Sequence, residues 1–237
     1  MRNLNSGRNM QDAFYFAQLN SFFERWFEPY RAAALMTNDN LPIFIKYQNL
    51  PDIGTLPVVT ETVGKYLKIG PGDIVLTNDP YSGGSTLTAM TLMMGVSLEP
   101  KRSSSSADFL FCVRFNLKPH LQMTQTVEDE GVRIPPTPIR HGGQINEDLL
   151  RVIADHPQCP KDFLQSTDRM IKAMDNTIAL IQKDTIASRL DWSKPRIKQY
   201  FRESSRLFSH QLGRIAFGEA SREMSLESGE RLRLNLR

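Results

Sequence analysis

The stretch that decides the fold runs from residue 70 to residue 94 and reads GPGDIVLTNDPYSGGSTLTAMTLMM. Its opening Gly70-Pro71-Gly72 breaks any helix, and the apolar residues that follow are too few and too β-branched to form one. We therefore predict a short buried strand that delivers Asn78 and Asp79 to its carboxyl end. After the Gly83-Gly84 pair, the renewed apolar run predicts a second strand.

The polar corner between these two strands allows two interpretations. Asp79 precedes a proline, which disfavours the helical region of backbone space. The glycines Gly83 and Gly84 permit positive φ angles or a close approach of the backbone to a ligand. The side chains of Asn78 and Asp79 either hydrogen-bond their own turn or face a ligand at the strand tip, and the sequence leaves both interpretations open.

Two blocks of the chain resemble one protein family. Residues 78–87, NDPYSGGSTL, resemble the Asn-Asp-Pro-Tyr-x-Gly-Gly-Thr-His-Leu-x-Asp signature of the hydantoinase B/oxoprolinase family, which includes the large subunits of acetone-type carboxylases. Residues 128–136 and 142–150 are similar, in the same order, to the family's Glu-Glu-Gly-x-x-Ile-Pro-Pro and Gly-x-x-Asn-Glu-Asp segments. Since family members are usually more than twice as long, the resemblance implies a shortened chain.

The resemblance implies a divalent metal, held by histidine and aspartate, that acts on a cyclic amide or a carboxylated substrate. It also implies that ATP chemistry often belongs to a separate hydantoinase A-type subunit. This chain departs from the signature at its ligands, because Thr86 stands in the histidine position and Ala89 in the aspartate position. Asp52 stands where the family shows a histidine in a preceding loop. Threonine and alanine cannot replace imidazole or carboxylate ligands, so we predict no cofactor.

The rest of the signature is retained. The residues that we interpret as a substrate-binding or framework loop are Asn78, Asp79, Tyr81, Gly83 and Gly84. The candidates for a residual catalytic or metal site are Asp52, Asp79 and His120, with Glu128 or Glu130. The sequence contains no dinucleotide fingerprint, Walker loop or nucleophile elbow, and therefore gives no support for nucleotide binding or serine hydrolysis.

A framework that is kept while its ligands are replaced favours a non-catalytic assembly or regulatory subunit. The alternative is a metal-dependent cyclic-amide hydrolase of the hydantoinase or oxoprolinase type, with a displaced site or one completed by a partner subunit. A third hypothesis is an unrelated role in which the basic C-terminal helices bind acidic partners. For the first two hypotheses the expected partner is a second copy of the chain or a hydantoinase A- or B-like subunit.

Composition limits the remaining classes. The chain has 237 residues, with 29 basic and 26 acidic side chains, and this small surplus does not predict nucleic-acid binding. Its two cysteines, Cys112 and Cys159, lack the spacing of a zinc site and are too few for a disulfide scaffold. We find no secretory segment and no apolar run of about 20 residues, so we expect a cytoplasmic protein that does not enter membranes.

We predict an α+β fold with a mixed β-sheet core, an N-terminal aromatic helix and a long C-terminal helical hairpin. Aromatic residues at three- and four-residue spacing predict an amphipathic helix from Gln11 to Leu35. The pattern then predicts a strand over Leu41–Tyr47, a Pro- and Gly-punctuated loop over Asn49–Pro57, and a short helical turn over Thr60–Leu67. The apolar runs on either side of the serine-rich 101–106 segment should pair antiparallel.

The C-terminal part reads as mostly helical. Asn146 is predicted to cap a helix, and Pro160 to begin another that extends to about Arg189. The buried face of that helix is predicted to be Phe163, Thr167, Met170, Met174, Ile178 and Ile181. A further helix, joined to it at 191–193, is predicted to turn inward Ile197, Tyr200, Phe201, Ser204, Phe208, Leu212 and Ile215. Alternation over the last ten residues predicts a strand that completes another sheet or meets a partner. The predicted domains are 1–145, 146–220 and 221–237.

Overall fold

Seven strands form one sheet, and its middle strands are buried on both faces. The computed structural model describes residues 30–98, 107–117, 130–184, 191–214, 218, 220–226 and 228–236. The strands of this sheet are β1 (Ala32–Thr37), β2 (Pro42–Tyr47), β3 (Ile74–Thr77), β4 (Ala89–Val96), β5 (Phe109–Asn116), β6 (Thr137–His141) and β7 (Gln144–Ile145). Their spatial order is β2-β1-β5-β4-β3-β6-β7. The α+β class is confirmed, but each neighbouring pair is antiparallel where a mixed sheet was predicted.

Helices cover both faces of the sheet. They are α1 (Pro51–Tyr66), α2 (Glu147–Ala154) and α3 (Phe163–Lys183). On one face, Leu56, Val59 and Val63 of α1 join a cluster with sheet residues that include Met93 and Cys112. On the other face, the Tyr30 ring meets Phe111 edge-on, and its hydroxyl lies 3.5 Å from Thr177 Oγ1 of α3. Because no face of β4 meets solvent, all eight of its residues are buried, which explains its continuous apolar sequence.

The deciding stretch folds as predicted. Strand β3 pairs with β4 so that Val75 lies opposite Met93 and Thr77 opposite Thr91. Strand β4 pairs antiparallel with β5, as predicted from the apolar runs on either side of 101–106. In that register Thr91 lies opposite Arg114 and Ala89 opposite Asn116.

Two predictions near the N-terminus are corrected. Residues 1–29 of the predicted aromatic helix lie outside the described residues, but Ala32–Leu35 belong to β1, which pairs with both β2 and β5. Backbone pairing on both sides therefore overrides the helical periodicity at this end. The predicted Asn49–Pro57 loop is wrong, because α1 starts at Pro51 and continues through the predicted Thr60–Leu67 turn. Proline is tolerated in a first helical turn, where its missing N–H needs no partner.

The helix α3 follows the prediction on its buried face but not at its start. The six residues predicted to face inward are all buried. The helix begins at Phe163 rather than at Pro160, and it ends at Lys183. The predicted cap of α2 is confirmed, since Asn146 Oδ1 accepts a hydrogen bond from the Leu149 N–H at 3.0 Å.

The chain separates into two compact units, 1–190 and 191–237. The second unit contains helix α4 (Lys194–Leu212) and a hairpin of strands β8 (Ala220–Ser225) and β9 (Arg231–Leu236). Strand β9 confirms the predicted terminal strand, but its partner β8 was not predicted. Phe208 and Leu212 were predicted to face inward and are exposed, while Ile215 lies outside the described residues. The helical hairpin and the three domain boundaries stay predictions, because residues 185–190 are not described.

No helix in the described part of the chain combines the length and apolar character that crossing a membrane requires.

The corner between β3 and β4 requires its two glycines for different reasons. Gly83 has a φ of +93°, and a Cβ there would lie 2.8 Å from the Val59 nitrogen of α1. Gly84 lies outside the left-handed region, but a Cβ there would lie 2.5 Å from the Asn78 carbonyl oxygen and 2.8 Å from that of Asp79. The corner is therefore packed tightly on itself and on α1.

We expect Gly84→Ala to lower the free energy of unfolding by about 2–4 kcal/mol, because the new methyl group overlaps two backbone carbonyls that cannot both move. The matched control is Gly54→Ala, since a Cβ at this position on α1 meets nothing within 4 Å. Urea denaturation of both variants measures the difference. An unchanged midpoint for Gly84→Ala would show that the corner is a loose loop.

Candidate functional site

Asn78 joins the two blocks of sequence that carry the family resemblance. Its Nδ2 donates to the carbonyl oxygens of Leu87 at 2.6 Å and Val132 at 2.8 Å. Its Oδ1 accepts from the Ile134 N–H at 2.6 Å. The buried amide therefore uses both of its N–H groups and its oxygen to hold the first block against the second.

Asp79 caps the 3₁₀ turn Pro80–Ser82 that follows it. Its Oδ1 accepts from the Tyr81 N–H at 3.1 Å, and its Oδ2 accepts from the Ser82 hydroxyl at 2.9 Å. Asp79 therefore bonds its own turn, as one of the two interpretations held, whereas Asn78 bonds Leu87 and the second block instead of its own turn. The turn leaves Tyr81 exposed, with the Arg133 guanidinium 5.4 Å from its ring centroid.

A buried ion pair lies between α1 and the sheet. The Nη1 of Arg114, on β5, donates to Asp52 Oδ1 at 2.9 Å and to Thr55 Oγ1 at 2.5 Å, and its Nε donates to Thr91 Oγ1 at 3.1 Å. Both charged side chains have no exposed surface. Burial lowers the pKa of Arg114, and the hydrogen bond and charge of Asp52 oppose that shift.

A second arginine completes this arrangement. Arg31 Nε donates to Asp52 Oδ2 at 3.0 Å, and Arg31 Nη1 donates to Asn116 Oδ1 at 2.8 Å. Asn116 lies opposite Ala89, the residue at the family's aspartate position. We call Arg31, Asp52 and Arg114 the Arg–Asp cluster.

Of these three residues, Asp52 is a candidate from the sequence, whereas Arg31 and Arg114 were missed. The available signal was the single arginine in the otherwise apolar run Phe109–Phe115, because a buried guanidinium requires a carboxylate partner. The position of that partner, 62 residues earlier in the chain, had no local signature.

The structure groups the predicted site residues only in part. Asn78, Asp79, Tyr81, Gly83 and Gly84 form the corner, but Asp52 bonds the two arginines instead. His120 and Glu128 lie outside the described residues. Thr86 Oγ1 lies 3.3 Å from Thr88 Oγ1, and Ala89 is buried in β4.

The described residues do not fit the divalent metal that the family resemblance implies. Among them, no group of three or more His, Cys, Asp or Glu side chains is placed to hold a metal ion. Each oxygen of Asp52 and of Asp79 already accepts a hydrogen bond within the fold. Burial also raises the pKa of Cys159 to about 11 and raises that of Cys112, so neither thiol is a ready thiolate ligand.

Comparison with known proteins places this geometry in a family. Residues 34–237 match the family model described as hydantoinase B/oxoprolinase. Uncharacterized protein MJ0963 of Methanocaldococcus jannaschii is 22% identical over 194 residues, which cover 73% of this chain and 34% of that protein.

Two solved structures also align with the chain. The ATP-dependent caprolactamase from Pseudomonas jessenii aligns with a TM-score of 0.63 and 14% identity, covering 100% of this chain and 45% of that one. A nucleotide-free acetone carboxylase aligns with a TM-score of 0.48 and 11% identity, covering 68% of this chain and 22% of that one. The caprolactamase likeness concerns the fold alone, and this chain spans less than half the length of each of these three relatives. Since the family model covers most of the sequence, the chain belongs to the hydantoinase B/oxoprolinase family.

Proposed function

We propose that this chain is a non-catalytic assembly or regulatory subunit of the hydantoinase B/oxoprolinase family. One observation carries the proposal: the carboxylates of Asp52 and Asp79, two of the described acidic candidates for the family's chemistry, are both engaged inside the fold. Asp52 accepts from two guanidinium groups and Asp79 from its own turn. Both groups act as structural acceptors in this proposal.

The charges around Asp52 argue against recruiting it as a metal ligand. A divalent cation bound there would lie beside the guanidinium groups of Arg31 and Arg114, whose nitrogens are 3.0 and 2.9 Å from the carboxylate oxygens. Two like unit charges 4 Å apart repel by about 4 kcal/mol at an effective dielectric constant of about 20. A metal would therefore have to displace the arginines, which would leave them buried and unpaired.

The hairpin of the second unit supports the assembly part of the proposal. One face, which we call its apolar face, carries Met224, Leu232 and Leu234, which are 58%, 52% and 61% exposed, together with Arg222 opposite Leu234. On the opposite face Glu223 lies 3.8 Å from Arg233, so that face is polar. A two-stranded hairpin alone is marginally stable in water, and an apolar face of this kind is typical of an interaction site. The partners we propose are a second copy or a hydantoinase A- or B-like subunit.

The competing function is cyclic-amide hydrolysis at a displaced site or one completed by a partner. The likeness to a caprolactamase makes caprolactam a suitable test substrate, together with the hydantoins and 5-oxoproline that the family's name implies. Activity of the isolated chain towards any of these, with or without ATP, would favour this alternative.

We expect the protein, purified without chelator, to contain far less than one divalent metal ion per chain, because the carboxylates of Asp52 and Asp79 are already engaged. Elemental analysis by mass spectrometry measures this. One tightly held Mn, Fe or Zn per chain would contradict the proposal. Loss of that metal in Asp79→Ala but not in the exposed control Asp168→Ala would then assign the site to the corner.

We expect light scattering at micromolar concentration to give a mass above that of one 27.0 kDa chain. Replacing Leu232 and Leu234 by serine should return the protein to a monomer, because it removes apolar surface worth roughly 1.5–3 kcal/mol per buried side chain. The control replaces Arg231 and Asn235, on the polar face of the same strand, by serine. A monomeric wild type, or an equal effect of both pairs, would show that this face is not an interface.

A further inference from the structure

The Arg–Asp cluster carries one more positive charge than negative. Arg31 and Arg114 are cationic, and Asp52 is the carboxylate that bonds both of them. Among the described residues, the other groups bonded to the two arginines are hydroxyl and amide oxygens, which carry no charge. Asp52 stabilises the charge on Arg114, while Arg31 disfavours it. Since Arg114 and Asp52 have no exposed surface and the Arg31 side chain is 16% exposed, this surplus charge lies largely away from solvent and is costly unless it is paired.

Arg114 also has donors without an acceptor. Its Nε and Nη1 are bonded, but its buried Nη2 finds no hydrogen-bond partner among the described residues. A guanidinium has five N–H donors, two of them on Nη2. Because buried polar groups are nearly always paired, this nitrogen marks a place where an acceptor is missing.

The cluster is open to solvent on one side. The Arg31 side chain is 16% exposed, and its hydrogen bond to Asn116 lies at the surface. The N-terminal turn of α1 adds positive potential, since Leu50 at its start provides no side-chain cap. The cluster therefore combines a surplus charge with an unmet donor, and its Arg31 end reaches solvent.

We infer that the Arg–Asp cluster binds one small monovalent oxyanion of the carboxylate type, with Nη2 of Arg114 as a donor. One negative charge balances the cluster, whereas a divalent anion would leave a buried negative surplus. Carboxylate oxygens accept strong charge-assisted hydrogen bonds from guanidinium groups. Anion binding by the cluster requires no catalytic chemistry, and we expect it whether or not the chain is an assembly subunit.

Titration calorimetry with sodium formate, at constant ionic strength kept with sodium chloride, tests the inference on the wild-type protein. We expect saturable binding of one formate per chain, and binding of sulfate at least tenfold weaker. Absence of saturable formate binding would overturn the inference and would mean that a neutral group, such as water, satisfies Nη2.

Three variants test the assignment to the cluster. Arg114→Lys keeps the charge but removes Nη2, so formate affinity should fall about tenfold. Asp52→Asn raises the surplus charge by one, so affinity should rise, and weaker binding would overturn the charge argument. The control is Arg140→Lys, which should leave formate binding unchanged. Arg140 lies outside the cluster and donates hydrogen bonds of 2.8 and 2.9 Å to Asp175. Equal losses in Arg140→Lys and Arg114→Lys would also overturn the assignment. If Arg114→Lys does not fold, the formate affinities of Asp52→Asn and Arg140→Lys, compared with that of the wild type, test the assignment to the cluster.

Discussion

The buried contact between Asp52 and Arg114 is the constraint on which the site region depends. It joins the first turn of α1 to the middle of the sheet, and both side chains are inaccessible to solvent. Removing either partner alone would leave an uncompensated charge in the interior. The pair therefore fixes where α1 starts along the sheet, and the apolar contacts of Leu56 and Val59 then cover the face beside it.

The signature corner depends on that placement. Gly83 approaches the backbone of Val59 so closely that a Cβ would overlap it. Asn78 then ties the same corner to the segment that contains Val132 and Ile134. The two blocks that carry the family resemblance and the helix α1 thus form one connected structure. Among the retained signature residues, Asn78 and Asp79 hydrogen-bond backbone groups, and Gly83 and Gly84 allow close backbone contacts.

The elements with strong local signals were predictable from the sequence. The Gly-Pro-Gly turn and the apolar runs of 70–94 predicted strands β3 and β4. The spacing of six residues in α3 predicted correctly which of its side chains are buried. The first half of helix α1 was missed because Pro51, Gly54 and Pro57 predicted a loop, and helix was predicted only over Thr60–Leu67. Burial of Leu56, Val59 and Val63 against the sheet decided the structure instead. Tertiary packing overrode local propensity there.

In the candidate site too, residues with a local sequence signal were predicted and long-range contacts were not. Asn78 and Asp79 were identified because a polar pair directly follows a buried strand. The ion pair was missed, because Asp52 and Arg114 are 62 residues apart in sequence and no local pattern connects them. A sequence pattern records local geometry, whereas this contact exists only once α1 lies on the sheet.

A double-mutant cycle on Asp52→Leu and Arg114→Met, measured by urea unfolding, tests the dependence on this pair most directly. Each single substitution should cost about 3–5 kcal/mol, because it leaves a buried charge without its partner. The double variant should cost less than the sum of the two, with a coupling of at least about 2 kcal/mol. Additive effects, within about 0.5 kcal/mol, would contradict the central role of the pair.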